Sequence, residues 1–212
     1  EAMTVGLMTH RFAQPKVAAY PWDEWAYTDY FYFATPEALV LPGRLTGLAN
    51  RALCIAIAEW ITLRLQFAPH AEDARAYLDA AWATMVRRDA CEYAELDRQI
   101  WSGPLDGALR AAMLVVNDTL FEAETDFFFA GRSCWAINLA RHICDPLDGP
   151  PFEAWLNTCL RRLLAHHSGP VASAGSIFDF HFSFGAPVGP ALFVESVPYE
   201  PDRDRAELES SV

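Results

Sequence analysis

The sequence predicts a mainly α-helical single domain: a bundle of about five helices, preceded by an aromatic-rich amino-terminal arm and followed by a small carboxyl-terminal β-hairpin. Three observations carry this. Apolar residues recur at spacings of three and four through most of residues 45–168, Gly and Pro fall between those runs, and the period drops to two only beyond residue 169. With 212 residues, 52% of them hydrophobic, the chain has enough apolar surface for one sizeable core. The organisation expected is an arm over 1–44, a helical core over 45–168, and a hairpin with a charged tail over 169–212.

The arm holds Tyr20, Trp22, Trp25, Tyr27, Tyr30, Phe31, Tyr32 and Phe33 within fourteen residues, 8 of the 28 aromatics. Pro21 followed by Asp23 and Glu24 suits a helix start, whereas the aromatic density favours a strand, so its secondary structure stays open. Its rings are expected to cover one side of the core, with an exposed aromatic anchor as the alternative. Residues 45–67 have helical length and are apolar almost all round from 53 to 65, which predicts a central, buried helix. Ala74, Tyr77, Leu78, Ala81, Trp82 and Met85 mark a second helix over 70–88, and a shorter helical segment is expected over 92–101. After Ser102-Gly103-Pro104, the series Leu105, Leu109, Ala112, Val116, Leu120, Ala123 and Phe127 predicts a long amphipathic helix. Gly131 is expected to stop it, and Ser133 to cap a helix carrying Trp135, Ile137, Ala140 and Ile143. Pro150-Pro151 opens the last helix, with Phe152, Leu156, Leu160 and Leu163 on one stripe, and His166-His167 complement its dipole at the far end. Phe178, Phe180, Phe182 and Phe184 then alternate with polar residues as one strand, and 191–197 is its expected antiparallel partner.

Composition narrows the function. Sixteen basic against 28 acidic residues give a net charge of −12, which opposes the phosphate neutralisation that nucleic-acid binding requires. The longest apolar run, 52–58, ends at Glu59, far short of the roughly 18–20 residues of a membrane span, so neither membrane nor nucleic acid is an expected partner. Glu1-Ala2 ahead of Met3 reads as a vector remnant, and the stretch after Met3 lacks the basic and uninterrupted apolar segments of an export signal. Five cysteines without a C-x-x-C pair fit a reducing cytoplasm. Lys16 is the only lysine among the basic residues, a bias of GC-rich coding that points to a bacterial source.

Catalytic motifs are missing: there is no G-x-S-x-G, Walker-type loop, G-x-G-x-x-G or H-E-x-x-H, and no cofactor is expected. Asp179 and His181 share one expected strand face, an arrangement that orients an imidazole but more commonly faces solvent. Charge placement is more informative. Asp118, Glu122 and Asp126 recur every four residues on the long helix, where like charges cost about 0.2–0.5 kcal/mol per pair and no cation lies between Arg110 and Arg132. Asp89, Glu92, Glu95 and Asp97 extend this acidity, and residues 72–126 carry a net of −7 in about a quarter of the chain. Such a field steers a cationic protein. The function class expected is therefore a non-catalytic acidic binding module of the immunity or antitoxin kind, occluding a basic partner such as a nuclease toxin, by analogy of charge rather than of fold.

Two carboxylates sit where apolar side chains belong. Glu59 interrupts the central helix, and Glu124 projects beside Leu120 on the long one. Each needs a cation, hydrogen-bond donors or a proton, with Arg51, Arg64, Arg132, Arg141 and His142 as candidate partners. The alternative they raise is a helical, metal-dependent enzyme built around Glu59 and Glu124. A homo-oligomer joined through the aromatic arm is the third class.

Overall fold

The computed structural model describes residues 18–121, 129–144, 148–169 and 184–211. They form seven α-helices: α1 (Pro36–Leu39), α2 (Gly47–Arg64), α3 (Ala71–Ala83), α4 (Gly103–Leu120), α5 (Phe129–Ile143), α6 (Gly149–His166) and α7 (Pro201–Ser210). Helix α2 is the centre. Sixteen of its 18 residues are buried, Glu59 and Leu63 being the exceptions, and α3, α4 and α5 pack around it. A helix apolar on every side has no face to offer water, so the others must enclose it. Its start is fixed by Thr46, whose hydroxyl accepts from the Ala49 N–H at 3.3 Å.

Polar groups inside this shell set the helix register. The Arg51 Nε donates to the Thr119 carbonyl at 3.1 Å, and its guanidinium lies over the Phe184 ring. Asn50 donates to the Pro42 and Thr46 carbonyls and accepts from the Ser133 hydroxyl at 2.7 Å. Arg64 pairs with Asp148 at the entry to α6. Each buried donor matched in this way avoids a desolvation cost of about 1–3 kcal/mol.

The expected hairpin is not there: among the described residues there is no strand or sheet, only an isolated bridge between Leu45 and Ser168. Residues 191–197, expected as its second strand, begin in a 3₁₀ turn, Pro190–Phe193, and continue as a strap across α6. Two causes act. Leu192 and Phe193 are neighbours and both fully buried, which a hairpin strand with one face on the helices and the other in water does not achieve. In addition, the Arg162 guanidinium binds the carbonyls of Leu192, Val194, Glu195 and Val197 at 2.8–3.1 Å, taking acceptors that a ladder would use. Of the expected first strand only Phe184 is described, and its carbonyl accepts from the Leu48 N–H. The other residues of that strand, including Asp179 and His181, lie outside the described residues.

Other boundaries move for tertiary reasons. The segment 92–101 is not helical but lies against α4, and the charged tail contains α7, held to the core by buried Leu208 and Asp204. Gly131 and Ser133 neither stop nor cap a helix: both are buried inside α5, where the Ser133 hydroxyl serves Asn50 instead. His167 carries no imidazolium against the α6 dipole, because burial lowers its pKa to about 4 and leaves a neutral ring 2.7 Å from the Tyr199 hydroxyl. Helix count rises from five to seven because α1 has only four residues and α7 is almost wholly polar, so neither shows an apolar period.

The arm contains a 3₁₀ turn, Tyr27–Tyr30, and splits its aromatics: Phe31 is buried, Trp22, Tyr27 and Tyr30 are partly buried, and Trp25, Tyr32 and Phe33 are exposed. Glu24 ties it to the start of α4, its Oε1 accepting from the Trp22 indole and the Gly103 N–H, both at 2.7 Å. This seat exists because Gly107 has no side chain: a Cβ there would lie 2.5 Å from both Glu24 Oε1 and Trp22 Nε1. Gly107→Ala is therefore expected to release the arm while leaving α4 helical. Faster proteolysis within 18–35 with unchanged far-UV circular dichroism would show this, and an arm as protected as in the parent would refute it.

Candidate functional site

Four of the acids expected to meet a partner lie together on the segment between α3 and α4. Asp89, Glu92, Glu95 and Asp97 are all exposed. Glu92 and Glu95 make no side-chain contact with a cation among the described residues, Asp89 makes a long 3.4 Å pair with Arg87, and Asp97 accepts from the Gln99 N–H. The segment is nevertheless fixed in place. Asn117, wholly buried on α4, donates from Nδ2 to the Ala94 carbonyl at 2.8 Å and accepts at Oδ1 from the Ala94 N–H at 3.2 Å. The same oxygen accepts the Tyr77 hydroxyl from α3. One amide thus replaces both hydrogen bonds of a strand neighbour for a segment that has none.

Aromatic and aliphatic groups interleave with these acids. Tyr93 is 55% exposed and Ile100 58%, and Phe121 at the end of α4 is 46% exposed with its ring 5.4 Å from that of Tyr93. Arg98, a cation of the same segment, lies over the exposed Trp25 ring, its Cζ 3.7 Å from the centroid. Arg88 lies over Phe184. The result is an acidic and aromatic edge, anchored to α4, with two of its own guanidinium groups laid on rings.

Of the expected helical stripe only Asp118 is described. Asp118 is half-buried, and burial raises its pKa while the charge of Arg132 on α5 opposes that rise, so this carboxylate faces a neighbouring helix. Glu122, Asp126 and Glu124 lie outside the described residues.

Glu59 stands apart from the edge, on the α2–α3 interface. Its Oε1 accepts from the Trp82 indole N–H at 2.9 Å, and its Oε2 is shielded from water with no hydrogen-bond partner among the described residues. None of the expected cations pairs with it. Arg51 and Arg64 are engaged as above, Arg132 lends its charge to Asp118, Arg141 pairs with Glu153, and His142 meets the Pro21 carbonyl. Burial, reinforced by the nearby Asp79 charge and opposed by the Trp82 hydrogen bond, raises its pKa to about 8. The carboxyl is protonated at neutral pH. Among the described residues no group of three or more His, Cys, Asp or Glu side chains is placed to hold a metal ion.

One pair was invisible in the sequence. Buried Asp106, in the first turn of α4, accepts from the His70 N–H at 3.1 Å and lies 2.9 Å from His70 Nδ1, while the imidazole stacks on Trp101. The two are 36 residues apart with no spacing signal, and the pair joins the start of α3 to α4. A carboxylate that fixes an imidazole this way also suits acid–base work; here it joins two helices. No family model, curated protein or solved structure matches the chain.

Glu59 gives a pH test. Its folded pKa, about 8, lies above the unfolded value, so the folded state holds the extra proton between those values and stability falls as pH rises from about 4.5 to 8. Glu59→Gln keeps the acceptor for Trp82 and removes the titration. It is expected to match the parent near pH 4 and to exceed it at pH 9 by a few kcal/mol, on the order of 3–5 from the size of the shift, in urea melts. Parallel stability profiles across that range would refute the assignment.

Proposed function

We propose that this protein is a non-catalytic, cytoplasmic binding module that occludes a cationic protein, in the manner of an immunity or antitoxin-type inhibitor. The observation that carries the reading is the edge itself: Glu92 and Glu95 exposed without internal cations, alternating with exposed Tyr93 and Ile100 on a segment held by Asn117. Acids of this kind speed encounter with a positive surface, and aromatic anchors supply the free energy that persists once salt screens the charges. Fixing the segment beforehand lowers the ordering cost of association. No helix among the described residues is long and apolar enough to cross a membrane. The partner surface would be one rich in Lys and Arg, such as the substrate face of a nuclease, and −12 of net charge would repel the nucleic acid competing for it.

Two variants of equal charge test the site rather than the net charge. Glu92→Lys with Glu95→Lys alters the edge, and Glu207→Lys with Glu209→Lys alters exposed positions on α7. Association with an arginine-rich polypeptide at low salt is expected to slow by about tenfold or more in the first and only slightly in the second. Equal slowing in both would mean that overall charge alone acts, and the proposal would fail.

A further inference from the structure

A second surface lies away from the acidic edge, where α1, α5 and α6 enclose a groove of about 180 Å³. Its floor is apolar, from Leu41, Pro42, Ile137, Leu156 and Leu160, and its rim carries Glu37, Asn138 and Arg141. That volume is below the roughly 300–1,000 Å³ of pockets that hold small molecules, and suits one or two apolar side chains. Such side chains stand beside it. Val40 is 58% exposed and Phe33 50%, and Tyr32 is exposed with them. Phe33 is held next to the groove because Asn138, in its wall, donates to the Phe31 and Phe33 carbonyls at 3.2 and 2.8 Å.

We propose that this face is a two-fold interface with a second copy of the chain, in which Phe33 and Val40 of each protomer enter the groove of the other. An isologous contact needs a patch complementary to itself, and an apolar projection beside an apolar groove on one face meets that condition. Charge supports the same occupant. A molecule at −12 repels its own copies except through a face without acidic excess. Here the signs balance: Arg141 pairs with Glu153, Arg161 stands nearby on α6, and Glu37 has no partner among the described residues. The two-fold axis then runs between the groove and Val40, so that Glu37 of each protomer faces the rim of the other, where Arg141 is held by Glu153. A balanced rim also gives a cationic protein no reason to choose this face over the acidic edge.

The area argues for a weak dimer. Half of Tyr32 and half of Phe33 expose about 200 Å²; Val40, Leu41 and the groove walls bring the patch to a few hundred, against about 800 Å² per partner in a standard interface. Sedimentation velocity over a hundredfold range of concentration, reaching about 200 μM, is expected to show monomer passing into dimer. Val40→Glu should raise the dissociation constant at least about tenfold and Glu37→Arg by less, and because both positions are exposed, circular dichroism should stay unchanged. A monomer at every concentration overturns the proposal, as does a dimer that Val40→Glu leaves intact. A monomeric parent whose affinity for the arginine-rich polypeptide falls in Val40→Glu also overturns it, assigning the groove to that partner.

Discussion

Everything in this fold depends on one constraint, that α2 is surrounded. Burying 16 of 18 residues removes any solvent face, so the remaining helices are arranged as a shell rather than as a layer. Each polar group on α2 must then find its partner inside. Asn50 and Arg51 do so on α5 and at the end of α4, and Arg64 does so at the entry to α6. These contacts decide which turn of one helix faces which turn of the next, where apolar packing by itself tolerates sliding. Glu59 obeys the same rule by another route: lacking a cation, it keeps a proton.

The shell also explains why irregular segments are well fixed. Where the chain leaves helical geometry, a single buried side chain supplies the missing hydrogen bonds. Asn117 does this for the segment at Ala94, Arg162 for the strap after Pro190, and Asp204 for the Gly189 and Ala191 N–H groups. Each is buried or half-buried and rooted in a helix, so the loop inherits the rigidity of the core. The acidic edge and the apolar groove are thus presented by different means, one by an amide clasp and the other by the seating of the arm on Asn138 and Gly107.

The candidate site was partly legible. Asp89, Glu92, Glu95 and Asp97 stood out as acids of one segment, but they ranked behind the helical series of Asp118, because periodicity draws attention to regular spacing. The helical angle places Asp118 relative to its own axis only. It says nothing about the approach of α5, which brings Arg132 into its field. The exposed partners Tyr93, Ile100 and Phe121 carried no mark at all, since the same residue types fill the core elsewhere.

What the sequence determined by itself was local and periodic: the central helix α2, then α3 and α6 with boundaries within about five residues, the start of α4 though not its end at Leu120, the acidic bias, and the presence of a carboxylate at an apolar position of α2. These come from side-chain spacing, which a helix converts directly into a face. Tertiary structure decided the rest. Leu192 and Phe193 read as strand until Arg162 captured the carbonyls around them, Gly131 and Ser133 read as helix punctuation until Asn50 arrived across the bundle, and His70 met Asp106 over 36 residues. In the first two cases a long-range polar contact outweighed a local preference, because an unmatched polar group in the interior costs more than an unfavourable residue in a helix or turn; in the third no local signal existed.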